Sequence, residues 1–151
     1  MKRGVAMTAK LKTTITDAEW EVMRVVWTAK SASSKEIISV LKDKKDWKPT
    51  TIKTLIGRLV EKKLLETEAV GNKFIYTPTV SEEDSVKKVT LDVFSHICNK
   101  KVGKTIGTIL SEATLSHEDI QLLTKILEQK NKQAVNEVTC NCVKGQCECC
   151  K

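Results

Sequence analysis

The sequence predicts a mostly α-helical chain with one small β-hairpin, and three observations carry that prediction. Three helical stretches with their own start signals come first, a two-strand pattern around Gly71-Asn72 follows them, and after Pro78 the periodicity is wholly helical again. Apart from these stands "CNCVKGQCECC" at residues 140–150, which holds five of the six cysteines. Three helices followed by a hairpin is the order of a winged helix-turn-helix. The expected division is therefore a winged-helix DNA-binding domain over 1–80, a helical dimerisation domain over 81–135 and a cysteine-rich tail over 136–151.

The first helix is announced by "ITDAEWEVMRVVW". Thr16 and Glu19 form a capping box, Ile15 can staple onto Trp20, and apolar residues recur at Met23, Val26 and Trp27. "SSKEIISVLKDK" repeats the device with Ser33 and Glu36, and buries Ile37, Ile38 and Leu41. In the third segment Pro49 occupies a first helical position, and Ile52, Leu55, Ile56 and Leu59 fall at i, i+3, i+4 and i+7. The two strands are read in "LLETEAV" and "FIYTP". Ser81 then caps a helix with Val86, Val89, Val93 and Ile97 along one side. Ile106, Ile109, Leu110 and Ala113 make a second stripe. Ser116 with Asp119 opens a third through Ile120, Leu123, Ile126 and Leu127. Three short amphipathic helices cannot enclose a large core alone, so pairing with the same helices of a second copy is expected. From Gln129 the sequence turns polar and the tail follows with no turn or strand to anchor it.

The net charge of +7 is unevenly spread. Residues 1–80 hold 16 Lys and Arg against 9 Asp and Glu, whereas residues 81–151 hold 10 against 10. A basic half joined to a neutral half points to a polyanion-binding module carrying a second function, although a solvated basic surface has the same composition. No stretch approaches the roughly 20 apolar residues that cross a bilayer, and the basic start lacks the apolar core of a signal peptide, so a cytoplasmic chain is expected. No Ser/His/Asp set, phosphate loop or carboxylate pair supports catalysis. His96 and His117 have no partner at ligand spacing.

In a helix-turn-helix the second helix of the pair presents its N-terminal residues to base edges in the major groove, while Lys and Arg around it hold phosphates. A threonine hydroxyl donates and accepts, and its methyl packs on a thymine methyl. The expected DNA face is Thr50, Thr51, Lys53, Thr54 and Arg58, with Lys73 at the wing tip. The same residues would also serve as the ordinary exposed face of a packed helix. In the tail, Cys140, Cys142, Cys147 and Cys149 form C-x-C-x4-C-x-C, and the glycine of "VKGQ" lets the second pair fold back on the first. Four thiolates suit structural zinc, and equally Cu(I) or an iron-sulfur cluster. The competing readings are disulfides or a degraded, unliganded tail, and a reducing compartment disfavours the disulfides. Cys150 is a spare ligand or a bystander, and Cys98 is expected as a small core or interface residue.

Through "TDAEWEVMRVVW", "DWKPTTIKTLIGRLVEKKLL" and "CNCVKGQCEC", the chain resembles the CopY family of copper-responsive repressors, within the BlaI/MecI group of winged-helix repressors. The resemblance covers nearly the whole chain, and the tail selects the branch. It implies a homodimeric repressor of a copper-homeostasis operon, not an enzyme. Its zinc form would bind double-stranded operator DNA at an inverted repeat of the TACAnnTGTA type, and Cu(I), delivered by a copper chaperone, would displace zinc and release the DNA. Relatives often carry serine before the third helix; Lys48 here cannot accept the helix amides but can reach a phosphate. Inactivation by proteolysis, as in the β-lactam branch, is the same-class alternative, and a thiolate-rich metal buffer is the alternative from another class. Four thiolates carry the same total charge with one Zn(II) as with two Cu(I), so geometry has to be the signal. Inverting operator occupancy from 99:1 needs about 5.5 kcal/mol of differential stability.

Overall fold

The computed structural model describes residues 14–150 and divides into two compact units, the first ending at Val89 and the second beginning at Thr90. In the first unit the order is α1 (Asp17–Ala29), β1 (Ala32–Ser33), α2 (Ser34–Lys45), α3 (Pro49–Glu61), β2 (Leu65–Val70) and β3 (Lys73–Pro78). Helix α4 (Glu82–Phe94) begins in this unit. α1 and α2 start at complete capping boxes, Thr16 with Glu19 and Ser33 with Glu36, in which each side chain accepts from the other's backbone amide. α3 starts without one: Lys48 makes no side-chain cap bond, and Pro49 supplies the fixed φ that nucleates the first turn.

Burial follows the apolar stripes. Val22, Met23, Val26 and Trp27 of α1, Ile37 and Leu41 of α2, and Ile52, Leu55, Ile56 and Leu59 of α3 form one core, closed by Leu64, Leu65 and Val80. Ile15, Trp20, Ile38 and Tyr76 pack against its edge. The Trp20 and Trp27 rings lie with centroids 5.3 Å apart, tilted by 56°. The Trp27 indole N–H, which needs a partner once buried, donates to the Val80 carbonyl at 2.9 Å. One charge is taken inside as well. Glu19 is buried, and Lys62 reaches its Oε1 at 2.6 Å while also donating to the Thr14 carbonyl. Burial opposes ionisation of Glu19, but the Lys62 ammonium and the Thr16 amide outweigh it and hold the carboxyl below its ordinary range.

The hairpin pairs β2 with β3 from Leu65↔Pro78 to Val70↔Lys73, around a tight turn in which Gly71 takes φ 63°. Glycine adopts that left-handed conformation without a Cβ clash. A third strand was not foreseen in the sequence. Ala32 and Ser33, in the loop between α1 and α2, pair with Tyr76 and Ile75, giving the order β1-β3-β2. This short strand fixes the hairpin against the helices.

In the second unit the C-terminal turn of α4 leads through Cys98 into a 3-10 turn (Asn99–Lys101), then α5 (Val102–Glu112) and α6 (His117–Asn131). Ser116 and Asp119 form the expected capping box. The apolar side of these helices lies open: Leu91, Val93, Ile106, Ile109, Ile120, Leu122, Ile126 and Leu127 are all exposed. Cys98 is the one buried apolar side chain among the described residues of this unit. No helix among the described residues is long and apolar enough to cross a membrane.

Candidate nucleic-acid interface and metal centre

The candidate DNA face is built by α3. Its stripe of Ile52, Leu55, Ile56 and Leu59 is buried, which turns Thr50, Thr51, Lys53, Thr54 and Arg58 outward, all exposed. Lys48 precedes them and is exposed too, and Lys73 stands at the start of β3 beside the hairpin turn. Lys73 also lies near enough to Glu36 to favour its ionised form, after the Ser33 amide as first cause. An open groove lined by Ser34, Lys53, Gly57, Thr67 and Phe74 runs between α3 and the hairpin. Thr54 is already engaged: its hydroxyl donates to the Thr50 carbonyl at 2.9 Å. It can therefore accept a hydrogen bond or present its methyl, but its proton is committed to the helix.

The second candidate site is a knot of thiols. The sulfurs of Cys98, Cys140, Cys147 and Cys149 all lie within 4.8 Å of one another. Cys98 donates to Cys140 at 3.6 Å, Cys98 and Cys149 are 3.7 Å apart, Cys140 and Cys147 3.4 Å, and Cys147 and Cys149 2.7 Å. Cys150 approaches Cys147 at 3.1 Å and donates to the Val143 carbonyl. All six cysteines are free thiols.

The tail reaches this arrangement through two local devices. A turn over Val143–Gln146, with Gly145 at φ 93°, reverses the chain so that the Gly145 amide donates to the Cys150 carbonyl at 2.8 Å. The incoming strand of tail is tied to the 3-10 turn. The Asn99 amide donates to Asn141 Oδ1 at 2.8 Å, and Lys100 Nζ pairs with Glu137 at 2.7 Å. This anchorage was not readable along the chain, because neither partner lies near the other in sequence.

Of the cysteines expected as ligands, Cys140, Cys147 and Cys149 have their sulfurs, with that of Cys98, all within 4.8 Å of one another, and Cys142 lies outside that group of four while its thiol bonds to Cys147, Cys98 and Cys140. Cys98, expected as a small core or interface residue, is buried and has its sulfur in the cluster. A signal for it existed: it is the one cysteine outside the tail.

The titration of these thiols is coupled. Hydrogen bonds from Cys149 and Cys150 draw the Cys147 thiol down to about 7. Cys140 is also lowered, first by the Cys142 amide and then by Cys149. Burial and its neighbours push Cys142 up, and donation to Cys147 pushes up Cys149 and Cys150. Thiols this close cannot all ionise without a cation among them. The donor set fits a soft metal. A tetrahedral zinc tetrathiolate with Zn–S of about 2.3 Å has sulfurs about 3.8 Å apart, close to three of the four separations here.

Residues 15–129 match the penicillinase repressor family. The chain is 43% identical over 135 residues to an uncharacterized 16.5 kDa protein of Latilactobacillus sakei, covering 89% of this chain and 92% of that one. It is 34% identical over 120 residues to the penicillinase repressor of Bacillus licheniformis, covering 79% and 94%. Among solved structures, that of the Bacillus licheniformis repressor BlaI, a monomeric form in complex with the blaP half-operator, is 40% identical over 48% of this chain and 88% of that one, with a TM-score of 0.44. A CopY-type assignment fits both the matched family and the cysteine-rich tail. The chain belongs to the penicillinase repressor (BlaI/MecI) family of winged-helix transcriptional repressors, which are DNA-binding proteins and not enzymes.

Proposed function

We propose that this repressor is metal-responsive and governs a copper-homeostasis operon, binding an inverted-repeat operator as a homodimer in its zinc form and leaving it when Cu(I) takes the thiols. The observation that carries the reading is the gathering of four cysteine sulfurs within 4.8 Å in a member of a repressor family. Bound zinc would supply one tetrahedral centre, whereas Cu(I) is satisfied by fewer sulfurs per ion and shares them. The remaining work falls to the chain's own residues. Thr50, Thr51 and Thr54 offer acceptors and methyl groups to base edges, while Lys48, Lys53, Arg58 and Lys73 offer cations to phosphates. The uncovered apolar sides of α4, α5 and α6 supply the surface for a second copy.

Operator binding by the purified protein, measured in zinc, in Cu(I) and after chelation, tests this. Zinc is expected to raise affinity and Cu(I) to abolish it. Arg58→Ala should weaken operator and unrelated DNA alike and flatten the salt dependence by about one counterion, since a phosphate contact carries no sequence information. Binding that ignores metal while the thiols hold zinc stoichiometrically would favour the buffer reading instead.

A further inference from the structure

The geometry points to Cys98 as a ligand of the metal centre, so that the site is shared between the tail and the start of α5 rather than confined to C-x-C-x4-C-x-C. This rests on the cluster being a metal site, as proposed above. Three observations carry it. The Cys98 sulfur lies 3.6 Å from Cys140 and 3.7 Å from Cys149, close to the edges of a tetrathiolate tetrahedron, and it belongs to the group of four sulfurs that all lie within 4.8 Å of one another, a condition Cys142 does not meet although its thiol bonds to three of them. The neighbours of Cys98 are tied to the neighbours of Cys140 independently of any thiol: Asn99 to Asn141, and Lys100 to Glu137. Cys98 is also the N-cap of the 3-10 turn that runs directly into α5, so its sulfur is held by a rigid element and not by a free loop.

The consequence is a different coupling of metal to protein. A site made by the tail alone closes a short loop between Cys140 and Cys149, and an unfolded chain could form it equally well. A site that includes Cys98 closes the chain around α5 and α6 and needs the 3-10 turn in its native place. Metal binding is then linked to the folding of the helices that carry the uncovered apolar surface. Each ligand loses its thiol proton to solvent as the ion binds, with no redox step.

The test uses the full chain with zinc, and with Co(II) as a spectroscopic stand-in whose sulfur-to-metal charge-transfer absorbance scales with the number of thiolates. In the parent, zinc is expected to slow amide hydrogen exchange across Val102–Glu112 at least tenfold, and in Cys98→Ala that protection is lost even if another thiol completes the coordination. The double variant Cys142→Ser with Cys150→Ser leaves the buried cysteine untouched and is expected to keep both the parent's absorbance per bound Co(II) and its zinc-dependent protection. A fall of about a quarter in that absorbance in the double variant, or equal protection in the parent and in Cys98→Ala, overturns the assignment of Cys98. A parent that binds neither ion overturns the metal reading itself, a separate and recognisable result.

Discussion

The two units bury apolar surface in opposite ways. In the first, fourteen side chains from α1, α2, α3 and the sheet edge form a continuous core, and the exposed face of α3 is left to polar residues. In the second, the helices are just as periodic, yet Ile106, Ile109, Ile120 and Ile126 stay exposed, and the buried apolar residue among those described is Cys98. Periodicity decides that a helix is amphipathic; chain length and the number of helices decide whether its apolar side can be covered from within. The first unit meets that condition unaided. On the function proposed above, the second would draw on two other resources, a second copy of itself and a metal to gather its thiols.

The largest expected contrast comes from core truncation. Leu59→Ala should destabilise the first unit by about 2–5 kcal/mol in denaturant unfolding, because the deleted methyls leave a cavity among packed neighbours. Ile109→Ala, at a half-exposed position, should cost under about 1 kcal/mol in dilute protein. It should instead loosen self-association by roughly tenfold in sedimentation. An Ile109→Ala protein as unstable as Leu59→Ala at every concentration would mean that the second unit has a core of its own.

Next in size is the charge that the first unit buries. Lys62→Met removes the partner of Glu19 and should cost about 1–3 kcal/mol near neutral pH. The sign with pH follows from the depressed pKa of Glu19. Its contribution is complete above the unfolded glutamate value of about 4.3 and is lost as pH falls through the lower folded value. Acid unfolding of the parent should therefore show this loss, and in Lys62→Met the pH dependence over that range should be shallower. Identical pH profiles for the two proteins would show that the pair contributes nothing.

Smallest are the helix caps. Ser33→Ala should lower the stability of the first unit by about 1 kcal/mol, since the Ser33 hydroxyl serves the Glu36 amide at a buried helix start. Ser116→Ala removes the equivalent bond to Asp119 at an exposed start and should appear as fraying of α6 in hydrogen exchange, with the unfolding midpoint of the first unit unchanged. A shift of that midpoint by Ser116→Ala would mean that the two units unfold together.

Much of this was legible in advance, for local reasons. Capping boxes at Thr16, Ser33 and Ser116 are set by residues three apart, and the stripes of α1 and α3 by residues within four; both are readable along the chain. Two-residue β1 was not legible, because Ala32 and Ser33 are too few to show a period and their partners lie on β3. The tail's anchorage escaped for the same cause. Asn99 meets Asn141, and Cys98 meets Cys140, across 42 residues, and nothing in "QKNKQAVNEVT" marks it as a docking strand. The tail thiols were marked as candidate ligands by type and spacing, while the place of Cys98 in the cluster was a matter of tertiary contact.

Tryptophan placement gives the molecule an uneven optical character. Trp20 and Trp27 sit as a contacting pair at the edge of the first core, Trp47 packs against the same core, and the single tyrosine, Tyr76, lies on β3. Every strongly emitting side chain thus belongs to the DNA-binding half, and the thiol-bearing half is dark. A change in intrinsic fluorescence when zinc or Cu(I) is added to the sulfurs would come from chromophores outside the unit that holds them. The protein carries its own reporter for communication between its two halves.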